Sequence, residues 1–286
     1  MPIFSMVVFF ILVLVLVVIN ILQMLSVIII RPFSLQVFRK FNSYCAHLWW
    51  GWCTSTVKIL HGIRLEVTGD QLTPEMEKEN SIVIMNHQTM ADITVLLMYA
   101  KDQGRLGDLK WYVKDVLKYV PGIGWGMVFL DCLFIKRNWT DDKDKIQAVF
   151  AKVIKYSIPV WIISFLEGTR FTQAKKERSQ AYAAKQGVPI LNHVLIPRTK
   201  GFVATVQGME NHIQAVYDLT IGYVGKTPTL RDWVKGYVKE VHLDIKRFPI
   251  STLPKDEKSL SQWALERFQQ KDLLLDRFYK AGTFKN

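Results

Sequence analysis

The first 30 residues of the chain carry no charged side chain, and most of them are aliphatic. A helix needs ~20 consecutive apolar residues to cross a bilayer, so this run is long enough to span one. It is longer than the core of a signal peptide and no basic residue precedes it, which predicts a retained anchor. Its length predicts either tilt or a break near Asn20 and Gln23. The first charges that follow are Arg31, Arg39 and Lys40, which predict that the C-terminal side is cytoplasmic.

A second membrane-related segment is predicted at residues 48–60, which read LWWGWCTSTVKIL. Tryptophans at this density are typical of the interface between membrane and water. The segment is short and contains a lysine, so an interfacial or partly immersed helix is favoured over a second full span. A helix of a soluble core is the alternative. The residues that carry the argument are Trp49, Trp50, Trp52 and Lys58.

The composition combines a formal charge of +12 with a hydrophobic fraction of 50%. Basic proteins with so much apolar sequence more often contact an anionic membrane or phosphorylated substrates, so no nucleic-acid partner is predicted. A solvated lysine-rich surface is the alternative interpretation. The three cysteines, Cys45, Cys53 and Cys132, form no CxxC pair, so neither a disulfide framework nor a zinc site is indicated.

From residue 63 onward, short β-rich runs alternate with amphipathic stretches, which indicates an α/β fold. Some of the runs are continuously apolar, such as IVIM and VWIISF, and such strands are buried on both faces of a sheet. The predicted strands are 64–68, 81–85, 110–113, 133–136, 160–165, 194–196, 215–223 and 238–243. The predicted helices are 92–100, 143–156, 175–186 and 259–277. The predicted domains are an anchor with an interfacial helix at 1–62 and a catalytic domain at 63–286.

The stretch NHQTMAD at residues 86–92 places His87 and Asp92 five positions apart, directly after the apolar run SIVIM. Within one helix, side chains at that spacing diverge by ~140°. They can meet if SIVIM is a strand, His87 lies in the following turn and Asn86 caps the helix that starts next. Asp92 then fixes the tautomer of the imidazole and leaves its other nitrogen as a base.

No GxSxG nucleophile motif occurs in the chain, so this histidine is interpreted as activating a hydroxyl of the substrate. A histidine that is only structurally satisfied near a strand end is the alternative, because the His-x4-Asp spacing alone is a weak signal.

The stretch FLEGTR at 165–170 follows the apolar run VWIIS and brings together an acid, a glycine, a hydroxyl and an arginine. Ligands of open α/β sheets bind outside the carboxyl ends of the strands. Gly168 permits a tight turn, and Arg170 offers a bidentate fork to a phosphate. Glu167 is predicted to pair with Arg170 or to accept a hydrogen bond from a substrate hydroxyl. A turn with an exposed ion pair is the alternative.

Two further β-runs end in cations: LFIKRN with Lys136 and Arg137, and VLIPRTKGF with Arg198 and Lys200. If the three runs are neighbouring strands, their cations form one anion pocket. Three ordinary polar strand ends are the alternative.

Four stretches of the chain resemble, in their order, the four sequence blocks of the lysophospholipid acyltransferase family. They are NHQTMAD, LFIKR, FLEGTR and VLIPRTKGF. The third block is similar to the family's F-P-E-G-T-R, with Leu166 in place of the proline. The fourth resembles the L-P-R-T-K-G-F version of some eukaryotic members, and WYVKDVLKYVPGIGW (111–125) resembles the stretch that these members carry after the first block. The resemblance covers residues 80–255, and four ordered blocks are far more specific than one.

The resemblance implies a glycerolipid acyltransferase-like fold and transfer of a fatty acyl group from acyl-CoA to a lysophospholipid, without an acyl-enzyme, cofactor or metal. Lysophosphatidic acid is the first candidate acceptor, and lysophosphatidylinositol is the second. His87 corresponds to the general base and Asp92 to its orienting partner. The positions that the resemblance associates with the phosphorylated substrates are Lys136, Arg137, Glu167, Gly168, Thr169, Arg170, Arg198 and Lys200.

The predicted location is a membrane, the endoplasmic reticulum by the resemblance, with the catalytic domain facing the cytosol. Three rival functions remain at this stage. A transacylase would act between phospholipids without CoA. A metal-dependent phosphoesterase would use His87 and Asp92, with His193 or His212 as a further ligand, although no ligand spacing favours it. A membrane adaptor without activity is disfavoured by the complete set of blocks.

Overall fold

The computed structural model describes residues 2–136 and 138–285, and its chain forms two compact units that alternate along the sequence. The first unit comprises Met1–Thr56 and Leu97–Ile162, and the second comprises Val57–Leu96 and Ile163–Asn286. The predicted functional division at residue 62 stays a prediction. Three elements contribute residues to both units: helix α2 (Leu35–His61), helix α3 (Ala91–Asp102) and strand β5 (Trp161–Ser164).

The first unit contains helices and a short parallel strand pair. Its strands β3 (Leu109–Lys114) and β4 (Leu133–Ile135) pair in parallel, with Tyr112 opposite Leu133. Its remaining helices are α1 (Pro2–Ile29), α4 (Ile123–Phe129) and α5 (Trp139–Lys155).

Helix α1 is continuous over 28 residues, so the predicted break near Asn20 and Gln23 is wrong. These polar side chains are buried, and the Asn20 amide donates to Gln23 Oε1 at 3.2 Å, whereas Asn20 Oδ1 accepts no hydrogen bond from the described residues. Ser26 donates to the carbonyl of Gln23 at 2.6 Å, and these contacts form within the continuous helix. Over Phe10–Ile29 the helix is long and apolar enough to cross a membrane, the one such helix in the described ranges.

Helix α2 spans 27 residues and begins well before the predicted segment 48–60. Its buried residues recur at helical spacing, with Phe38, Asn42 and Cys45 on the inner face. The tryptophans divide between environments: Trp50 is buried, whereas Trp52 is 51% exposed. Whether the exposed side lies in a membrane interface stays a prediction.

The second unit contains a mixed sheet whose strands are adjacent in the order β1–β7–β6–β2. Parallel pairs join β1 to β7 and β2 to β6, whereas β6 and β7 are antiparallel. Every residue of β2 and β6 is buried. For β2 this agrees with its continuous apolar run, whereas β6 also buries the polar residues Asp218 and Thr220. The strands are β1 (Arg64–Gly69), β2 (Ser81–Met85), β6 (Ala215–Tyr223) and β7 (Glu240–Pro249).

Helices flank this sheet, which confirms the predicted α/β class. The helices are α6 (Gln173–Gln186), α7 (Lys200–Met209), α8 (Leu230–Val234) and α9 (Glu257–Ala281). Helix α9 packs closely on β6, because a Cβ at Gly222 would lie 2.7 Å from a ring carbon of Phe278. The sequence patterns missed helices α4, α7 and α8.

The predicted strand at 194–196 is wrong, because this segment is a loop. Its backbone N–H groups bind side chains instead of a neighbouring strand. The Asp272 carboxylate on α9 accepts from the amides of Asn192 and His193 at 2.8 and 2.6 Å. The amide of Leu195 donates to Glu167 at 3.1 Å, and that of Ile196 donates to a serine hydroxyl. Arg198 and Lys200 therefore do not follow a strand.

A lysine of α9 is fully buried against the sheet. The ammonium group of Lys271 contacts the Asp218 carboxylate of β6 and donates to the carbonyl of Leu219 at 2.5 Å. Burial lowers the pKa of Lys271, although the Asp218 carboxylate opposes that change. Removing one partner of such a pair leaves a buried charge uncompensated, so this contact fixes α9 on the sheet.

Candidate active site

The side chains of His87 and Asp92 meet at the end of strand β2. His87 lies in the turn after the strand, and Asp92 lies in the first turn of α3. His87 Nδ1 and Asp92 Oδ2 are 2.8 Å apart, so the contact that the spacing predicted is present. Asn86 does not cap α3. Its side-chain amide instead pairs with the backbone N–H and carbonyl of Ile221, which fixes the turn to strand β6.

Four donors hold the carboxylate of Asp92, which is fully buried. Besides the imidazole, the backbone N–H groups of Gln88 and Thr89 donate to Oδ2 at 2.6 and 2.9 Å. The hydroxyl of Tyr223 donates to Oδ1 at 2.7 Å. Burial and the nearby carboxylate raise the pKa of Tyr223 well above its usual 10, so the phenol keeps its proton and stays a donor. These donors stabilise the ionised form of Asp92 in place of water.

The imidazole of His87 is fixed in orientation and reaches the surface at one edge. Its ring stacks on Phe165 with a centroid distance of 4.1 Å, and its side chain is 12% exposed. Because Asp92 accepts from Nδ1, the neutral ring carries its proton there and its lone pair on Nε2. Nε2 has no hydrogen-bond partner in the part of the chain that the structure describes. The arrangement can therefore accept a proton from a group that approaches Nε2.

The stretch FLEGTR forms a tight turn beside His87. Gly168 adopts the left-handed conformation with φ of 66°, and its N–H donates to the carbonyl of Phe165 at 2.8 Å. Leu166, which replaces the family's proline, is buried, and its carbonyl accepts from the N–H of Arg198 at 2.7 Å. The turn thus forms with leucine at this position.

Glu167 points into the protein and holds the backbone of the His87 turn. One of its carboxyl oxygens accepts from the N–H of His87 at 2.7 Å, and the other from the N–H of Leu195. The predicted ion pair with Arg170 is wrong. Glu167 is buried and these two amides are its hydrogen-bond donors, whereas Arg170 is exposed. The N–H of Phe171 donates to the carbonyl of His87 at 2.7 Å, so both backbone groups of His87 bind this turn.

The cations of the third and fourth blocks lie at one surface. Arg170 is exposed, and the side chain of Arg198 runs past Gly168, where a Cβ would lie 3.1 Å from its Cδ. The ammonium group of Lys175 donates to the hydroxyl of Thr169 at 2.7 Å and to the carbonyl of Arg170 at 2.9 Å. Three cations therefore surround the Gly168 turn, and the sequence patterns had not indicated Lys175.

The other predicted cations are placed differently. Lys200 is exposed and begins helix α7. Lys136 is exposed after β4 in the first unit, and its N–H donates to Asp142 at 2.8 Å. Arg137 lies outside the described residues. The predicted anion pocket at three neighbouring strand ends is wrong for the fourth block, because Arg198 and Lys200 follow a loop and not a strand.

Several side chains of the site escaped the sequence analysis. Tyr223 ends a predicted strand, but a strand end alone does not indicate which side chain faces a distant aspartate. Asp272 sits in an ordinary amphipathic pattern of α9, and its role depends on the loop that it binds. Within residues 2–136 and 138–285, no group of three or more His, Cys, Asp or Glu side chains could hold a metal ion.

The fold and the site together define an enzyme of the acyltransferase class, and comparisons with known proteins identify the family. A family model described as "Acyltransferase" matches residues 64–224, and one described as "Acyltransferase C-terminus" matches residues 232–286. The chain belongs to this acyltransferase family.

Named relatives match over most of the chain. A 1-acyl-sn-glycerol-3-phosphate acyltransferase 2 from Brassica napus is 37% identical over 271 residues, covering 93% of this chain and 69% of that protein. The 1-acyl-sn-glycerol-3-phosphate acyltransferase gamma from Homo sapiens is 34% identical, covering 93% of this chain and 71% of that protein.

A solved structure shares the fold. The 1-acyl-sn-glycerophosphate (LPA) acyltransferase PlsC from Thermotoga maritima superposes with a TM-score of 0.53. The match covers 95% of this chain and 94% of that chain at 17% sequence identity, so it bears on the fold alone.

The buried carboxyl of Glu167 predicts a pH-dependent stability. Burial raises its pKa from its usual 4.5 to about 8, against the opposing effect of the His87 and Leu195 amides. At a pH between these two pKa values, the Glu167 carboxyl is deprotonated in the unfolded chain but still protonated in the folded chain. The free energy of unfolding should therefore fall as the pH rises from about 4.5 to about 8.

Glu167→Gln should remove the contribution of Glu167 to this slope, because an amide does not titrate, and should cost about 1–3 kcal/mol by leaving one backbone amide unpaired. Chemical denaturation of the detergent-purified protein across this pH range measures both effects. The exposed Glu266→Gln variant is the matched control. A slope that survives unchanged in Glu167→Gln would contradict the assignment.

Proposed function

We propose that this acyltransferase moves a fatty acyl group from acyl-CoA to the free hydroxyl of a lysophospholipid. The first acceptor is lysophosphatidic acid, in line with the substrate in the names of its relatives, and the second is lysophosphatidylinositol. The observation that carries the proposal is the His87–Asp92 contact, which leaves Nε2 of the imidazole available at the surface.

In the proposed reaction His87 is the general base. Its Nε2 takes the proton of the acceptor hydroxyl while the oxygen attacks the thioester carbon of acyl-CoA. The carbon–sulfur bond then breaks, and the CoA thiolate leaves with the proton returned by the imidazolium. Asp92 keeps Nδ1 protonated and stabilises the imidazolium. A thioester is already activated, so a positioned base suffices without a protein nucleophile.

His87→Ala should lower kcat by about 10²–10⁴-fold, because general-base catalysis contributes that much. Asp92→Asn should also be severe, because an amide can present a donor to Nδ1 and reverse the tautomer. Release of CoA thiol from oleoyl-CoA with lysophosphatidic acid as acceptor measures the rate.

His212→Ala, a half-buried histidine elsewhere in the second unit, is the control and should stay near the wild-type rate. Activity of His87→Ala within about tenfold of wild type would exclude the assigned base. Transfer between phospholipids without added acyl-CoA would favour the transacylase, and loss of activity with a chelator would favour a metal-dependent enzyme.

The acceptor phosphate is assigned to the cations around the Gly168 turn. In lysophosphatidic acid the phosphate lies only a few bonds from the hydroxyl that must reach His87. Arg170 and Arg198 are exposed beside the turn that holds the His87 backbone, which suits them to that phosphate. Gly168 leaves room for the Arg198 side chain, and Thr169 holds Lys175 close by. Through the resemblance alone, Lys136, Arg137 and Lys200 are assigned to substrate phosphates.

Arg170→Lys should raise the KM for the acceptor by roughly tenfold while leaving the KM for oleoyl-CoA near its original value. A lysine keeps the charge but loses the bidentate geometry of the guanidinium. Steady-state kinetics with each substrate varied in turn measures the two constants, and the exposed Arg178→Lys on α6 is the control. A change confined to the KM for oleoyl-CoA would place the third block at the CoA instead.

The proposed location is the endoplasmic reticulum membrane, with the catalytic part on the cytosolic side. The apolar helix at Phe10–Ile29 and the cations Arg31, Arg39 and Lys40 after it support this orientation. In sealed microsomes, an added protease should therefore digest the chain after the anchor. Full protection until the membrane is dissolved would reverse the assigned orientation.

A further inference from the structure

A cavity of about 530 Å³ lies at the carboxyl end of strand β6 in the second unit. Its volume falls within the roughly 300–1,000 Å³ that is usual for small-molecule sites. The sequence blocks of the family do not include its walls. Among the residues that line it are Tyr223, Lys226, Pro228, Asp232, Tyr237 and Lys239.

Hydrogen bonds join the walls of this cavity to the His87 turn. Tyr223 is one of the lining residues, and its hydroxyl donates to Asp92. The hydroxyl of Thr89 donates to the carbonyl of Pro228 at 2.8 Å, and the hydroxyl of Thr227 donates to Gln88 at 2.9 Å. A ligand in the cavity would thus sit against the same backbone that orients the catalytic histidine.

The acidic groups of the lining are already engaged within the protein. Asp232 accepts from the backbone and hydroxyl of Thr229 at the start of α8. Glu240 accepts from Arg64 at 2.8 Å and contacts His242. Both carboxylates keep their charge, but a cation offsets each one, because Arg64 pairs with Glu240 and Lys226 lies near Asp232.

The cations of the lining are available to a ligand. Lys226 is exposed and is attracted to the Asp232 carboxylate without a hydrogen bond among the described residues, so its three N–H donors remain open to a ligand. Lys239 donates one of its three protons to the carbonyl of His61 at 2.7 Å, which leaves two donors. The cavity thus favours an anionic ligand.

An aromatic ring at the rim adds a stacking surface. Tyr237 is 68% exposed, and the ammonium group of Lys235 lies 5.7 Å from its ring centroid. A base stacked on an aromatic side chain beside cations is a common way to bind a nucleotide.

We propose that this cavity binds the phosphorylated adenosine portion of acyl-CoA, with Lys226 and Lys239 on its phosphates and Tyr237 against its adenine. The inference rests on the proposed use of acyl-CoA as donor. The long pantetheine arm separates that nucleotide from the thioester, so the nucleotide needs a site apart from the reacting atoms. The cations around Gly168 serve the acceptor phosphate, which lies close to its hydroxyl.

The test compares two donors, oleoyl-CoA and oleoyl-pantetheine, which lacks the nucleotide. Lys226→Glu and Tyr237→Ala should each raise the KM for oleoyl-CoA by about tenfold. Turnover with oleoyl-pantetheine and the KM for lysophosphatidic acid should stay within about twofold of wild type, because neither carries the adenosine group. Lys258→Glu, an exposed lysine in the first turn of α9, is the charge-matched control.

Calorimetric binding of adenosine 3′,5′-bisphosphate gives a readout that is independent of activity. It should bind the wild type and the control, and bind Lys226→Glu about tenfold more weakly. An unchanged KM for oleoyl-CoA in both variants, an equal loss with both donors, or a change only for the acceptor would each overturn the inference. If the wild type transferred no acyl group from oleoyl-CoA, the proposed function would fail, and the binding measurement would still decide whether the cavity takes a nucleotide.

Discussion

The buried carboxylate of Asp92 is the interaction on which the geometry of the site depends. An ionised carboxylate away from water is costly unless donors replace its hydration, and four donors do so here. They come from the imidazole of His87, two successive backbone amides and the hydroxyl of Tyr223 at the end of β6. One group therefore sets the tautomer of the histidine, the shape of the turn and the position of the turn against the sheet.

A second buried carboxyl, that of Glu167, acts on the same histidine through its backbone. It accepts from the N–H of His87, whereas Asp92 accepts from the ring. Glu167 has only two amides to offset full burial, and its pKa rises to about 8. At neutral pH Glu167 thus spends much of its time protonated and remains attached to the turn, because a carboxylic acid still offers acceptor lone pairs.

The sequence predicted the parts of the structure that depend on local pattern. The apolar run IVIM marked β2, and the spacing within NHQTMAD placed His87 against Asp92 once a strand and a turn were assumed. The errors arose where distant side chains satisfy the backbone. The residues at 194–196 have strand-like composition. In the structure, however, backbone amides of this loop donate to the carboxyl groups of Asp272 and Glu167 instead of to a neighbouring strand. The pairing of Glu167 failed for the same reason, because its partner amides come from segments 80 and 28 residues away.

The charges of the site are divided by depth, and this division suits the proposed reaction. The acids Asp92 and Glu167 are buried and bound to internal donors, whereas Arg170 and Arg198 are exposed. Both proposed substrates carry phosphates, so they meet cations first and no free carboxylate repels them. The only polar atom of the dyad left for chemistry in the described chain is Nε2 of His87, in a side chain that is 12% exposed. In the proposed reaction, a base that one buried acid orients takes a proton from a hydroxyl whose phosphate the exposed arginines hold. The absence of a GxSxG motif is consistent with the proposed reaction, in which the acceptor supplies the nucleophile itself.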